Sequence, residues 1–407
     1  MNERTLYKRS KTGKDLLWTL CWDDKSYWTI SGEIDGKLTT SSPTFCESKN
    51  VGRANETSIE QQVLNEVESK IKYQLEHGYY NTLEEIPNEK FEVSLSAKYH
   101  DRLEKGKEEF PYICQPKLDG IRCYIQRDPD GVIRLRSRAH KLFLSVPHLA
   151  EDPVVRFLLD KFPGIVLDGE LYNHDLKKDF NKIVSLVRKT KPTDDDLLES
   201  KVMILFNCFD CYLPNEPDMI YSIRNQMILD AVKSEVSRDV LQSTSVCFVT
   251  SDNLIIGRNN PELWFSDNEN FVFLKNDAEV ESKILEYINS GFEGIMLKRD
   301  VSYTFGRSTD LLKYKKFKDE EYEIVGFEDG RGGKAGMAVI VVCAYDGGTF
   351  KAGVNGTEDY TRMLFNSQSD YIGKKCTIRY QELTPIKDDG TGGVPRFGKM
   401  VAIRDYE

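Results

Sequence analysis

The chain is expected to fold in the α+β class, in three consecutive parts. Three observations carry that expectation. Strand-like runs closed by one amphipathic helix occupy residues 1–90. Apolar strand runs alternate with helical stretches over residues 91–318. The last part, residues 319–407, turns strongly to β. At 407 residues the polypeptide is long enough for two or three separate cores. Forty per cent hydrophobic and 30% charged residues are ordinary for a soluble globular protein. No apolar run reaches the ~18 to 20 residues that a bilayer requires, and Met1-Asn2-Glu3-Arg4 lacks the apolar stretch of a signal peptide. Nine scattered cysteines, an odd number, fit a reducing setting. A cytoplasmic protein without membrane attachment is expected.

In the first part, runs around Trp18, Trp22 and Trp28 are broken at Asp35-Gly36 and Ser41-Ser42-Pro43. A helix follows: Ser58 and Gln61 form a capping box, and Ile59, Val63, Leu64, Val67, Ile71 and Leu75 share one face. Gly78 stops it. The loop before it, Lys49 to Asn55, is polar and basic. In the middle part, Gly164 to Leu171, Val202 to Leu213 and Gly294 to Lys298 read as strands, and Glu279 to Ser290 as a helix ended by Gly291. The last part has strand runs Tyr322 to Phe327, Met337 to Tyr345, Thr349 to Val354 and Cys376 to Tyr380, interrupted by one helical stretch, Glu358 to Asn366. Five strands and one helix in that span suit a small Greek-key barrel of the oligonucleotide-binding kind.

A formal net charge of −10 argues against a surface coated for nonspecific DNA adhesion. It leaves room for a local basic channel. One candidate stretch runs from Arg299 to Lys318, with Arg307, Lys313, Lys315 and Lys316 among Tyr303, Phe305, Tyr314 and Phe317.

The string Gln115-Pro116-Lys117-Leu118-Asp119-Gly120-Ile121-Arg122 lies between two apolar runs. It reads as a lysine at a strand end followed by a tight Asp-Gly turn. A lysine so held can take a nucleotide onto its own nitrogen; the plain alternative is a charged hairpin. Downstream, in order, come Ser137-Arg138, Leu167-Asp168-Gly169-Glu170-Leu171, Phe209-Asp210, Glu293-Gly294-Ile295-Met296 and Leu312-Lys313-Tyr314-Lys315. Tyr303 to Thr309, Phe317-Lys318-Asp319, Tyr371 to Lys374 and Pro395-Arg396-Phe397 extend the series.

In this order the strings resemble the motifs of covalent nucleotidyltransferases, and as a set those of ATP-dependent DNA ligases of the compact viral and bacteriophage kind. The resemblance covers roughly residues 95 to 407. It implies an ATP-grasp-like nucleotidyltransferase domain over 91–318 and an OB-fold over 319–407. It further implies ATP and Mg²⁺ as cofactors, with Mn²⁺ able to substitute, nicked duplex DNA as partner, and a monomer. Lys117 would carry AMP, and Lys313 and Lys315 would hold the α-phosphate. Glu293 would help bind the metal, Arg122 and Glu170 would grip the ribose, and Phe209 would stack on adenine. Gln115 would meet the adenine amino group. Arg138 and Arg307 would contact phosphate at the nick, Arg396 the nucleic acid, and Asp119 would assist attack by the 3′-hydroxyl.

The chemistry needs these residue types. A free lysine with a pKa near ~10.4 is unprotonated about once in two thousand at neutral pH. Lowering that pKa by about three units takes roughly 4 kcal/mol, which nearby cations (a metal ion, Lys313, Lys315) are expected to supply. Taken singly, Lys313 and Lys315 also suit a solvated strand face, Glu170 a surface turn and Phe209 a core. An mRNA-capping guanylyltransferase or an RNA ligase would share the lysine chemistry, and a nonenzymatic DNA-binding protein would share the scaffold.

Cys208-x-x-Cys211 lacks a second ligand pair and reads as core. Gly330 to Ala335 lacks the first glycine and the Ser or Thr of a phosphate loop. Two departures stand out. Gly330 to Gly336 is too short for the DNA-clasping insertion many relatives carry, and the C-terminal Ile403-Arg404-Asp405-Tyr406-Glu407 lacks the usual basic ending, which Arg404 and Arg396 would replace. Trp28, Gly52 and Arg53 faintly resemble a WGR-type nucleic-acid module, so residues 1–90 are read either as a duplex-binding module in place of the clasp or as a plain structural domain.

Overall fold

Lys117 ends a strand of one sheet, and Ile121 begins a strand of another. The Asp-Gly corner is therefore a crossing between two sheets. The computed structural model describes residues 2–404, apart from 11, 87–90, 178, 251–254, 259–261, 264–270, 347, 385 and 387–391. Asp405 to Glu407, part of the C-terminal string read above, lie outside the described residues.

The first sheet of the middle domain runs Ile255–Ile256, Val246–Val249, Leu205–Tyr212, Val166–Tyr172, Ile121–Arg127, Ile133–Arg136. The second runs Phe273–Leu274, Tyr112–Lys117, Gly294–Lys298, Gly306–Tyr314, Ser94–Lys98. One continuous core joins them, with Cys114, Ile121, Leu167, Phe206, Ile295 and Leu312 among its fully or nearly fully buried members. Cys208 and Cys211 belong to this core, and burial pushes both thiols up. Val202 and Met203, assigned above to a strand, end the helix Asp194–Met203 instead. Thr193 and Asp196 form a reciprocal capping box there, which starts a helix that the apolar run had masked.

The N-terminal part has its own core of Leu6, Trp18, Leu20, Tyr27, Val63 and Val67. Strands Asn2–Arg9, Asp15–Trp22 and Ser26–Glu33 pair antiparallel, and the helix Ile59–Glu76 packs on them. Ser58 accepts from the Gln61 N–H, but Gln61 turns its side chain to Asn65, so only half of the capping box forms. The helical face is also narrower than the pattern suggested. Val63 and Val67 are buried, whereas Ile59, Leu64 and Leu75 are each about 40% exposed. Gly78, at φ +86°, reverses the chain, and the Tyr79 N–H closes onto the Gln74 carbonyl at 3.1 Å.

The C-terminal part is a closed barrel ordered Lys318–Asp329, Ala338–Tyr345, Gly348–Val354, Lys399–Ile403, Lys375–Tyr380. The fifth strand, Lys399–Ile403, closes it. The helix Glu358–Asn366, as expected from the sequence, connects the third and fourth strands in chain order and buries Leu364. This is OB-fold topology.

Candidate active site

The side chains that alternate along the second sheet form one wall of a cavity of about 180 Å³. Gly294 pairs with Lys117, Met296 with Gln115 and with Lys313, and Lys298 with Leu311. A strand's period of two therefore puts Gln115, Lys117, Met296, Lys298, Leu311 and Lys313 on the same face. All six line the cavity.

The first sheet supplies the opposite wall: Arg122, Glu170 and Phe209. Arg122 and Glu170 are cross-strand partners. Phe209 lies in an apolar run, and a β-bulge frees it. Asp168 pairs with Asp210 and Gly169 with Cys208, so Phe209 is the extra residue. A bulge re-aims a side chain, here into the cavity. Gly120 lets the walls approach. A Cβ there would sit 2.5 Å from the Leu171 carbonyl oxygen and 2.7 Å from Glu170 Cγ. At Gly294 a Cβ would meet the Tyr314 carbonyl oxygen at 2.3 Å. These close approaches are why glycine follows Asp119 and Glu293.

Lys117 Nζ donates to Glu293, and Lys315 Nζ donates to the other oxygen of the same carboxylate. Burial is the main force lowering the pKa of Lys117; Arg122 adds to it, while Glu170 and Asp119 oppose it. Burial therefore joins the repulsion from Lys313 and Lys315 that the sequence led us to expect. That repulsion is mutual: after burial, Lys117 is the next cause pulling each of the two lysines down, Lys315 to about 8. Burial also raises Glu170 to about 7, against the pull of Lys117 and Arg122.

Gln115 is buried and donates its amide to the Val249 carbonyl at 2.6 Å. That contact leaves its own carbonyl for the cavity. Arg122 makes a two-pronged pair with Asp168 (2.6 and 2.5 Å), and its guanidinium lies 4.6 Å from the Phe209 ring centroid. Lys298 donates to the Phe209 carbonyl at 2.9 Å and pairs with Asp210, which also binds Arg224. Sequence reasoning passed over Met296, Lys298, Asp168 and Ser94. Lys298 carried a signal: a lysine closing the apolar run Gly294 to Leu297, two positions beyond Met296.

The basic stretch from Arg299 to Lys318 is not one open patch. Arg299 pairs with Glu109 and Asp310, Lys315 with Glu293, and Lys316 with Glu281. Tyr303 is buried. Arg307 and Lys313 have no carboxylate partner among the described residues, nor has Arg138, which lines the cavity with Lys313. These three cations stand close enough for Arg307 and Arg138 both to depress Lys313.

The barrel reaches the same place. Arg396 donates to Asp119 at 2.5 Å and to Glu382, and Gln381 donates to the Glu293 carbonyl at 2.7 Å. Arg404 lies elsewhere on the barrel, against Thr377 and Glu321. Of the two expected stand-ins, only Arg396 is brought to the site. No group of three or more His, Cys, Asp or Glu able to hold a metal forms among the described residues. Glu293 remains, and a single carboxylate completed by phosphate oxygens and waters suits Mg²⁺.

Two sheets meeting at a partly buried lysine, continued into a closed OB-fold, are the architecture of a nucleotidyltransferase. The family model described as ATP dependent DNA ligase domain matches residues 94–315, more than half of the polypeptide, and the chain belongs to that family. Relatives include DNA ligases of African swine fever virus isolates: that of isolate Warthog/Namibia/Wart80/1980 is 25% identical over 378 residues, or 88% of this chain and 78% of the relative. Among solved structures, one from a structure-function analysis of Lig E DNA ligases has a TM-score of 0.53 at 19% identity, covering 78% of this chain and 100% of that one. Another, described as Pmar-Lig_PreS3, has a TM-score of 0.57 at 16% identity, covering 86% and 74%. At those identities the structural likeness speaks for the fold alone.

Proposed function

We propose that the protein seals 3′-hydroxyl/5′-phosphate nicks in duplex DNA through an AMP carried on Lys117. One observation bears most of this reading: a partly buried lysine, at the seam of two sheets, shares one carboxylate with Lys315 and faces Lys313. Burial favours the neutral amine, which is the nucleophilic form.

In the first step the Lys117 nitrogen attacks the α-phosphorus of ATP. The P–N bond forms as the bond to the bridging oxygen breaks, and pyrophosphate leaves. Glu293 is within reach of the proton released by Nζ. Lys313 and Lys315 neutralise charge on the α-phosphate. Phe209 and Met296 flank the base, the Gln115 carbonyl accepts from its amino group, and Arg122 and Glu170 hold the ribose. Glu293 would help hold Mg²⁺, which when bound supplies further positive charge at the phosphates.

In the second step an oxygen of the nick's 5′-phosphate attacks the same phosphorus and Lys117 departs with a proton. In the third, the 3′-hydroxyl attacks the 5′-phosphate and AMP leaves. Arg138 and Arg307 receive the nick phosphate. The barrel closes for the first step and withdraws for the others, freeing Asp119 from Arg396 for the 3′-hydroxyl. The protein acts as an intracellular monomer, and residues 1–90, with a core of their own, bind the duplex in place of a clasp.

Incubation with α-labelled ATP and Mg²⁺ should leave acid-labile label on a peptide containing Lys117, and that label should chase onto nicked DNA. Label on another residue, or labelling by GTP instead, would overturn the reading. Nicked RNA sealed in preference to nicked DNA would move it to the RNA ligases.

A further inference from the structure

Ser94–Lys98 is the edge strand beside Gly306–Tyr314, and Ser94, Leu95 and Ser96 line the cavity with Lys117 and Phe209. Ser94 closes a ring of hydrogen bonds. Its N–H donates to the Tyr303 hydroxyl oxygen at 3.0 Å. The Tyr303 hydroxyl donates to Asp168 Oδ2 at 2.5 Å. Asp168 accepts two bonds from Arg122, and Arg122 Nη2 donates back to the Ser94 carbonyl at 3.1 Å.

Ser94, Tyr303 and Asp168 are 9%, 8% and 0% exposed, so water does not compete for these bonds. Phe91 packs the Tyr303 ring at 5.6 Å between centroids, and also meets Tyr124, Tyr212 and Phe305. Both oxygens of Asp168 are committed to Arg122, and one of them also to Tyr303. The guanidinium plane over Phe209 is thereby determined.

We infer that Tyr303 is a positioning residue for the adenylation step, acting through Asp168 to orient Arg122. This rests on Arg122 meeting the nucleotide, as proposed above. Tyr303 itself touches neither ATP nor DNA.

Tyr303→Phe removes the hydroxyl and keeps the ring in its aromatic cluster, so the full-length variant should fold. Single-turnover formation of labelled lysyl-AMP should need about tenfold more ATP for half-maximal rate, as expected for a lost hydrogen bond to a charged group, with the maximal rate little changed. Joining of a saturating nick that already carries a 5′-adenylate, whose AMP seats in the same cavity, should keep its maximal rate. Asp168→Asn should show the same split, and the double variant should be no worse than Asp168→Asn alone. An unchanged ATP requirement in Tyr303→Phe, a fall in the maximal rate on the pre-adenylylated nick, or multiplying effects in the double variant would each overturn the inference. Failure of the wild type to label Lys117 would instead overturn the nucleotide reading on which it rests.

Discussion

Two sets of positive charge surround the cavity, and they are built on opposite terms. The inner set, Arg122, Arg224 and Lys298, is matched: Arg122 with Asp168, and Arg224 and Lys298 with Asp210. The outer set, Lys313, Arg138 and Arg307, has no carboxylate among the described residues. Breaking a buried ion pair leaves a stranded charge that costs several kcal/mol, so the inner cations carry their own counter-ions. At the mouth, water tolerates unpaired cations, and they stay open to phosphates. Lys313 and Lys315 condense the contrast into two positions: Lys315 is bonded to Glu293, while Lys313 is held among other cations. The inner set shapes the site, and the outer set is available to bind.

The severest test of this contrast is at its centre. Lys117→Ala should abolish both lysyl-AMP and sealing while leaving the thermal midpoint near that of the wild type. Next, Arg224→Ala should cost about 3–5 kcal/mol by urea denaturation, because Asp210 loses its two-pronged partner. Arg138→Ala should stay within about 0.5 kcal/mol. Equal stability losses would erase the distinction.

The inner pairing also has a pH signature. Burial alone would raise the Asp210 carboxyl, but Arg224 and Lys298 outweigh it and hold the group at about 2. Its stabilising contribution is therefore present above the ordinary carboxylate range and is lost as pH falls towards 2. The gap in urea midpoint between wild type and Asp210→Asn should narrow from about pH 4 downward. A gap that widens there would contradict the pairing.

Smaller effects belong to the outer set. Arg138→Ala should weaken nick binding by a similar factor for any sequence and reduce the slope of log affinity against log salt by about one. Removal of residues 1–90 should weaken nick affinity while leaving lysine adenylation; unchanged binding would leave that part without its proposed role.

Much of the site was legible because its chemistry recurs in short strings. The strings that carry Lys117, Glu170, Phe209, Glu293, Lys313 and Lys315 lie far apart in the chain, yet all six residues line or border one cavity. Misreadings came where pattern alone is ambiguous. Val202 and Met203 extend an apolar run but belong to a capped helix. Arg299 and Lys316 look like a basic channel but are already neutralised.

Local order in the sequence determined the elements, because side-chain period, caps and glycines act within a few residues: the stop at Gly78, the helix Glu358–Asn366 and the strand Gly294–Lys298 needed no partner to be read. Only the tertiary structure decided which charges are spent and which remain. Asp168 reaches Arg122 and Tyr303, and Arg396 reaches Asp119, across long stretches of chain. Electrostatic pairing depends on distance through space and on burial, and neither is written along the polypeptide.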